Sequence, residues 1–283
     1  MISCVMQGQD NPMLHYNIDK DIVNNSTLDG YLSSNIVTAI EQDHNGMLWF
    51  GTKRGLNSYD SHTFEEYNQL HGIINATITS VRAVGDTLFV GTERGLTIYD
   101  NKNKKATSYF ADVDSPVLPD NFIHNISEVI NNKITICTKG GTAVYDLMKK
   151  QFYIPRISNY MPDYEVYDVV YTSYDDSWWI ATSKGLVNYK DDNNSLKHFY
   201  SINNNNKTLP DNELRCFYKI NEEMIFIGTA RGLCLLDVKD NTIERIDFNK
   251  LTDYRSTKID VSKIISISDS EILISTYTDG LYI

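Results

Sequence analysis

Met47-Leu48-Trp49-Phe50-Gly51-Thr52-Lys53-Arg54-Gly55-Leu56-Asn57-Ser58-Tyr59-Asp60 decides the fold of this chain. It reads as an apolar strand ending in a small residue plus Thr, a turn closed by Gly, and a second strand. The phrase returns at Phe89-Val90-Gly91-Thr92 with Gly95, Ile136-Cys137-Thr138 with Gly141, and Trp179-Ile180-Ala181-Thr182 with Gly185. It returns again at Phe226-Ile227-Gly228-Thr229 with Gly232 and at Ile274-Ser275-Thr276 with Gly280. The small residue falls at 51, 91, 137, 181, 228 and 275, in steps of 40, 46, 44, 47 and 47. A period in that range marks a repeat architecture.

Each copy expands into four short strands, A to D. In the first, Ile36 to Ile40 is A, Met47 to Thr52 is B, Leu56 to Tyr59 is C and Phe64 to Tyr67 is D. Asp43-His44-Asn45-Gly46 and Lys53-Arg54-Gly55 supply the turns. Leu118-Pro119-Asp120-Asn121, Met161-Pro162-Asp163-Tyr164 and Leu209-Pro210-Asp211-Asn212 enter strand A in three copies, where Pro fixes φ and Asp or Asn closes the turn. Six units of this pitch predict an all-β chain, a β-propeller of four-stranded antiparallel blades. A single small sheet cannot bury its own apolar faces, so neighbouring blades must stack. The expected repeats lie near 33–67, 76–110, 122–153, 164–200, 212–246 and 258–283, within a domain spanning 14–283. Trp49 and Trp179 share one place on strand B and are expected to pack between blades.

The last copy stops after strand C. Leu14 to Ile18 is an unassigned strand before the first copy, and pairing it with that strand would close a six-bladed ring. The alternative is an incomplete seven-bladed propeller. Residues 1–13 form a terminal segment that resembles the tail of a signal peptide as much as an ordinary frayed end.

Composition narrows the partners. A formal net charge of −11 over 283 residues argues against nucleic acid. No run approaches the ~20 apolar residues of a membrane helix, so no direct membrane insertion is expected. Cys4, Cys137, Cys216 and Cys234 show neither CxxC nor metal spacing. Cys137 replaces the small strand residue, and a Cys216–Cys234 bridge is not expected. The six His show no metal spacing either, although His124 starts a strand A and could face inward. No cofactor or metal is expected.

Ser33-Ser34-Asn35-Ile36-Val37, Asp43 to Thr52 and Gly55 to Asp60 closely resemble the two-component regulator propeller repeat. The resemblance extends over residues 14–283, with Cys137 and Ser275 departing from its Gly. It implies the periplasmic sensor domain of a Bacteroidetes hybrid two-component system, which recognises oligosaccharide and so regulates polysaccharide-utilisation genes. It also implies further domains absent from this chain: a second propeller of about seven blades, a β-sandwich and a kinase. The chain is therefore expected to be an N-terminal fragment of such a sensor.

Ligand residues are expected where B–C turns and D–A connections share one end of the blades. Lys53, Arg54, Arg94, Lys139, Lys184 and Arg231 put a cation in five of the six B–C turns of an acidic chain, with Glu93 and Asp279 diluting them. A focused basic patch would suit uronic-acid or sulfated oligosaccharides. Tyr31, Tyr164 and Tyr277 fall on the same end, where an aromatic face can stack on a sugar ring. Solvated cations and scattered Tyr are the plainer explanation of both sets. Two other functions remain open. One is a protein-interaction scaffold, since propellers bind partners on one face. The other is a propeller lyase, which would need a His with a metal-binding carboxylate at the mouth. No such pair is expected, and no catalytic residues are assigned.

Overall fold

Among the described residues, β-branched and aromatic runs separated by Gly, Asn and Asp turns form twenty-five short strands. In the computed structural model the described residues are 3–6, 14–17, 31–112, 117–161, 163–190, 195–202, 205, 207–247, 259–268 and 271–283. The chain is an all-β β-propeller in which each blade is an antiparallel meander, every strand pairing with the next in sequence. Blade 1 is β3–β6 (Val37–Gln42, Leu48–Thr52, Gly55–Tyr59, Phe64–Tyr67). Blade 2 is β7–β10 (Ile78–Val84, Thr87–Thr92, Gly95–Asp100, Lys105–Tyr109), and blade 3 is β11–β14 (Ile123–Ile126, Lys133–Thr138, Gly141–Asp146, Gln151–Tyr153). Blade 4 is β15–β18 (Val166–Thr172, Ser177–Thr182, Gly185–Lys190, Ser195–Phe199), and blade 5 is β19–β22 (Leu214–Lys219, Met224–Thr229, Gly232–Asp237, Thr242–Arg245). Blade 6 has three strands, β23–β25 (Val261–Ser266, Ile272–Thr276, Leu281–Tyr282).

The N-terminal residues do lie against blade 6, but through β1 (Ser3–Met6), which approaches β25, rather than through a ladder from the expected strand Leu14–Ile18. Residues Leu14–Asn17 form β2, and β2 pairs with β1 (Ser3–Met6), with Ser3 opposite Asn17 and Met6 opposite Leu14. A hairpin between near neighbours in sequence has a far smaller loop-closure cost than a pairing across the whole chain. Ile18 and most of the terminal segment 1–13 lie outside the described residues.

Two compact units are present, one of residues 25–166 and one of 167–283 with 1–24. Within the first, the A strands β3, β7 and β11 lie side by side. Within the second, β19 and β23 do the same. The core sits between blades. Trp49, Leu56, Ile78, Leu88 and Val90 join blades 1 and 2, and Trp179, Leu186, Leu214, Phe217 and Ile227 join blades 4 and 5. Both Trp residues are fully buried, as their shared place on strand B requires. Trp178 points to the other face and packs on Tyr171, ring centroids 5.2 Å apart.

The small residue of the repeat is what lets the next blade approach. A Cβ added at Gly51 would stand 2.7 Å from Ile78 Cγ2, one at Gly91 2.7 Å from Ile123 Cγ2, and one at Gly228 2.6 Å from Val261 Cγ1. Each partner is the first residue of the following A strand, so one contact joins successive blades. Side chains on A strands add polar clasps, because an A strand has a ladder on one edge only. Glu41 accepts from the Ala83 N–H at 3.0 Å, Ser80 from Ile126 at 3.1 Å and Asp168 from Phe217 at 2.9 Å. Cys137, Cys216 and Cys234 are buried, and burial pushes the Cys216 thiol up to about 12.

Candidate functional site at the B–C end of the blades

The B–C turn is built by Thr. Thr229 Oγ1 donates to the Gly232 carbonyl at 2.8 Å and accepts from the Arg231 N–H at 3.2 Å. Thr52, Thr92, Thr138 and Thr182 do the same in their own turns. All five are 0% exposed. Gly232 closes its turn at φ +138°, a region that L side chains rarely adopt. Blade 6 departs from this form. Thr276 donates to Gly280 at 2.9 Å and accepts from Asp279 rather than from the residue two along, so its turn is one residue longer.

Behind each turn lies the start of an A strand. The N–H after the Thr donates to the residue just before strand A: Lys53 to Ile36, Glu93 to Thr77, Lys139 to Phe122, Ala230 to Glu213 and Tyr277 to Asp260. The second residue of the A strand is bulged out of register in β3, β7, β11, β19 and β23, at Thr38, Thr79, His124, Arg215 and Ser262. At His124 and Arg215 the bulge brings the side chain to the residue before the next blade's A strand, Glu165 and Asp260.

Two charged clusters result. In the unit of residues 25–166, His124 Nε2 stands 3.1 Å from Glu165 Oε2, with the Phe122 ring 4.9 Å away. Burial lowers the His124 pKa below its ordinary value, and the Glu165 charge only partly offsets this. The imidazole is therefore neutral at pH 7. This carboxylate–His pair is one that sequence reading did not expect. In the unit of residues 167–283, Arg215 is the hub. Its Nε and Nη2 donate to the two oxygens of Asp260 at 3.1 and 3.2 Å, and its Nη1 donates to Glu213 at 2.7 Å. The rings of Tyr277 and Tyr167 lie 5.5 and 5.9 Å from the guanidinium carbon. Burial opposes the Arg215 charge, but Asp260 and Glu213 raise its pKa above the ordinary value.

The residues expected from sequence divide between the two units. Lys53, Arg54, Arg94 and Lys139 are exposed on the first, and Lys184 and Arg231 on the second. Their backbone N–H groups shape the turns described above. Arg231 is committed to Asp211, Nε to Oδ2 3.1 Å. Tyr31 and Tyr277 are exposed, whereas Tyr164 is half-buried with its N–H on the Met161 carbonyl. Of the nine, Tyr277 joins the Arg215 cluster, and the Lys139 charge adds to the lowering of the His124 pKa. The Asp and Asn of the strand-entry turns act locally: Asp120 accepts from Phe122, Asn121 from Ala111 and Asp211 from Glu213. Among the described residues no three His, Cys, Asp or Glu side chains converge as metal ligands.

Residues 31–54 match the family model described as "Two component regulator propeller". The matched stretch takes in β3, β4 and the start of the turn after them. A solved structure described as the "extracellular domain of the putative hybrid two component system" from B. thetaiotaomicron is 25% identical, with a TM-score of 0.73. The match covers 88% of this chain and 33% of that one. The extracellular domain of a second such system from the same organism is 19% identical over 90% of this chain and 38% of its own, TM-score 0.57. PorZ, a surface component of the type-IX secretion system of Porphyromonas gingivalis, shares the fold at 15% identity and a TM-score of 0.59, over 84% of this chain and 30% of that one. The chain thus spans about a third of the length of these proteins. No curated protein matches it significantly. Among the described residues no helix is long and apolar enough to cross a membrane.

Proposed function

We propose that this chain is a ligand-binding sensor propeller of a hybrid two-component system, working in the periplasm. Its ligand is an oligosaccharide, and capture of that sugar regulates the genes for use of the parent polysaccharide. The observation that carries this reading is the 25% identity to the extracellular domain of such a system, sustained over 88% of the chain. The residues fit the role. Structural positions recur from blade to blade, whereas the B–C turns differ in charge and size from copy to copy, on a scaffold that presents their side chains to solvent. Full signalling needs the further sensor domains, a second propeller, a β-sandwich and a kinase.

A thermal-shift screen of the purified chain against neutral and acidic oligosaccharides tests the reading. Saturation at about 100 times Kd stabilises by about 2.7 kcal/mol, a rise of a few degrees for a domain of this size. A cooperative melt unmoved by every glycan contradicts it and favours the protein-interaction scaffold. One observation speaks for an enzyme instead, the His124–Glu165 pair, in which a neutral imidazole beside a carboxylate is chemically a base. Turnover of a glycan, abolished by EDTA and by His124→Gln, would establish that alternative.

A further inference from the structure

We propose that the B–C end of blades 5 and 6 is a saccharide site, with the Tyr277 ring as its stacking platform and Arg215, Glu213 and Asp260 as its hydrogen-bonding array, and that it takes a neutral sugar ring. The proposal rests on the sensor reading and specifies its ligand class.

The array is organised before any ligand arrives. Arg215 is gripped from two sides, by both oxygens of Asp260 and by Glu213, and lies between the Tyr167 and Tyr277 rings. Three of its five N–H groups are used. One on each terminal nitrogen has no protein partner among the described residues. Glu213 and Asp260 keep lone pairs beside them. Fixed donors alternating with fixed acceptors are what adjacent sugar hydroxyls require, since each hydroxyl both donates and accepts. Holding the array rigid in the empty protein removes an ordering cost from binding.

Tyr277 supplies the apolar half of the site. It is 67% exposed, and its hydroxyl makes no hydrogen bond among the described residues. The equivalent turn position elsewhere holds Lys53, Glu93, Lys139, Ser183 or Ala230. The longer blade 6 turn carries an aromatic there, directly over the Arg215 hub. An exposed ring of this kind gains most when an apolar face, such as the C–H face of a sugar, covers it.

Charge selects the class. Two carboxylates against one guanidinium leave the array at −1, on a chain of net charge −11. The neighbouring Arg231 is already paired with Asp211. A uronate or sulfate would meet like charge here, whereas a neutral ring would not. The Arg82–Glu41 pair, 3.2 Å, shows the contrast: Arg82 makes no cation–π contact among the described residues, and that carboxylate is occupied by the Ala83 N–H.

Titration calorimetry of the intact chain tests the proposal. The probes are neutral gluco-, xylo-, manno- and arabino-oligosaccharides, with oligogalacturonate and heparin-derived oligosaccharides as acidic comparators. Tyr277 stands in an exposed turn, so its variants should fold. A neutral oligosaccharide is expected to bind, Tyr277→Ala to weaken it about tenfold or more, and Tyr277→Phe to hold it within about threefold, all with unchanged melting temperature. Neutral-sugar binding unaffected by Tyr277→Ala would overturn the site and leave the sensor reading standing. Binding of acidic glycans alone would overturn the ligand class. Failure of every probe to bind would overturn the site and the sensor reading together.

Discussion

Thr229 Oγ1 accepts one hydrogen bond and donates another inside a single turn, which explains the recurrence of Thr at positions 52, 92, 138, 182 and 229. Thr229→Val keeps the shape and removes both bonds, leaving the Arg231 N–H and the Gly232 carbonyl short of a partner. The expected loss is about 1–3 kcal/mol in chemical denaturation, with Thr229→Ser recovering most of it. His124 gives a pH prediction. Its folded pKa lies below the ordinary 6.5, so the unfolded chain takes up the proton first. Stability should therefore fall as pH drops below about 6.5, until the folded state also protonates. His124→Gln should flatten that part of the stability–pH curve, and an equal slope in both proteins would contradict the buried neutral imidazole. The cysteines give a third test. With its thiol pushed up to about 12 and its side chain buried, Cys216 should resist a thiol reagent in the native protein and react on unfolding.

Blade joins blade through a contact between one small residue and one apolar residue. Gly228→Ala would drive a Cβ to 2.6 Å from Val261 and 2.8 Å from Cys216 Sγ, an overpacked seam expected to cost about 1–3 kcal/mol. Val261→Ala alone opens a cavity and costs a similar amount. The double variant should be more stable than the sum of the two losses, since each change makes room for the other. Simple additivity in denaturant titrations would deny the contact. This level of the structure was legible in the sequence. The small-plus-Thr phrase, its turn Gly and the apolar A strands place every blade, because local propensity and burial agree there. The charged clusters were not legible. His124 and Glu165 are 41 residues apart and Arg215 and Asp260 are 45 apart, about one repeat in each case. They meet only because a bulge turns the second A-strand residue toward the next blade. Aligning the strand-A starts, Phe122-Ile123-His124 above Glu165-Val166-Tyr167 and Glu213-Leu214-Arg215 above Asp260-Val261-Ser262, is the signal that finds them. The basic turn residues are legible as charge, but their pairing is not: the sequence does not show that Arg231 is held by Asp211.

Across the whole chain, repetition builds a scaffold whose B–C turns differ in chemistry from blade to blade. Burial at the seam positions is not uniform. Val37 in blade 1, and Ser275 and Thr276 in blade 6, are only partly covered, whereas their counterparts in blades 2 to 5 are buried. Sugar binding should therefore be read against folding in every variant, with denaturant midpoints measured on the same samples. The most direct test of the account is a crystal structure of the intact chain with the tightest neutral oligosaccharide from the calorimetric series. The account predicts a sugar ring stacked on Tyr277, with hydroxyls on Arg215, Glu213 and Asp260. A sugar seated elsewhere, with Tyr277 bare, would contradict it.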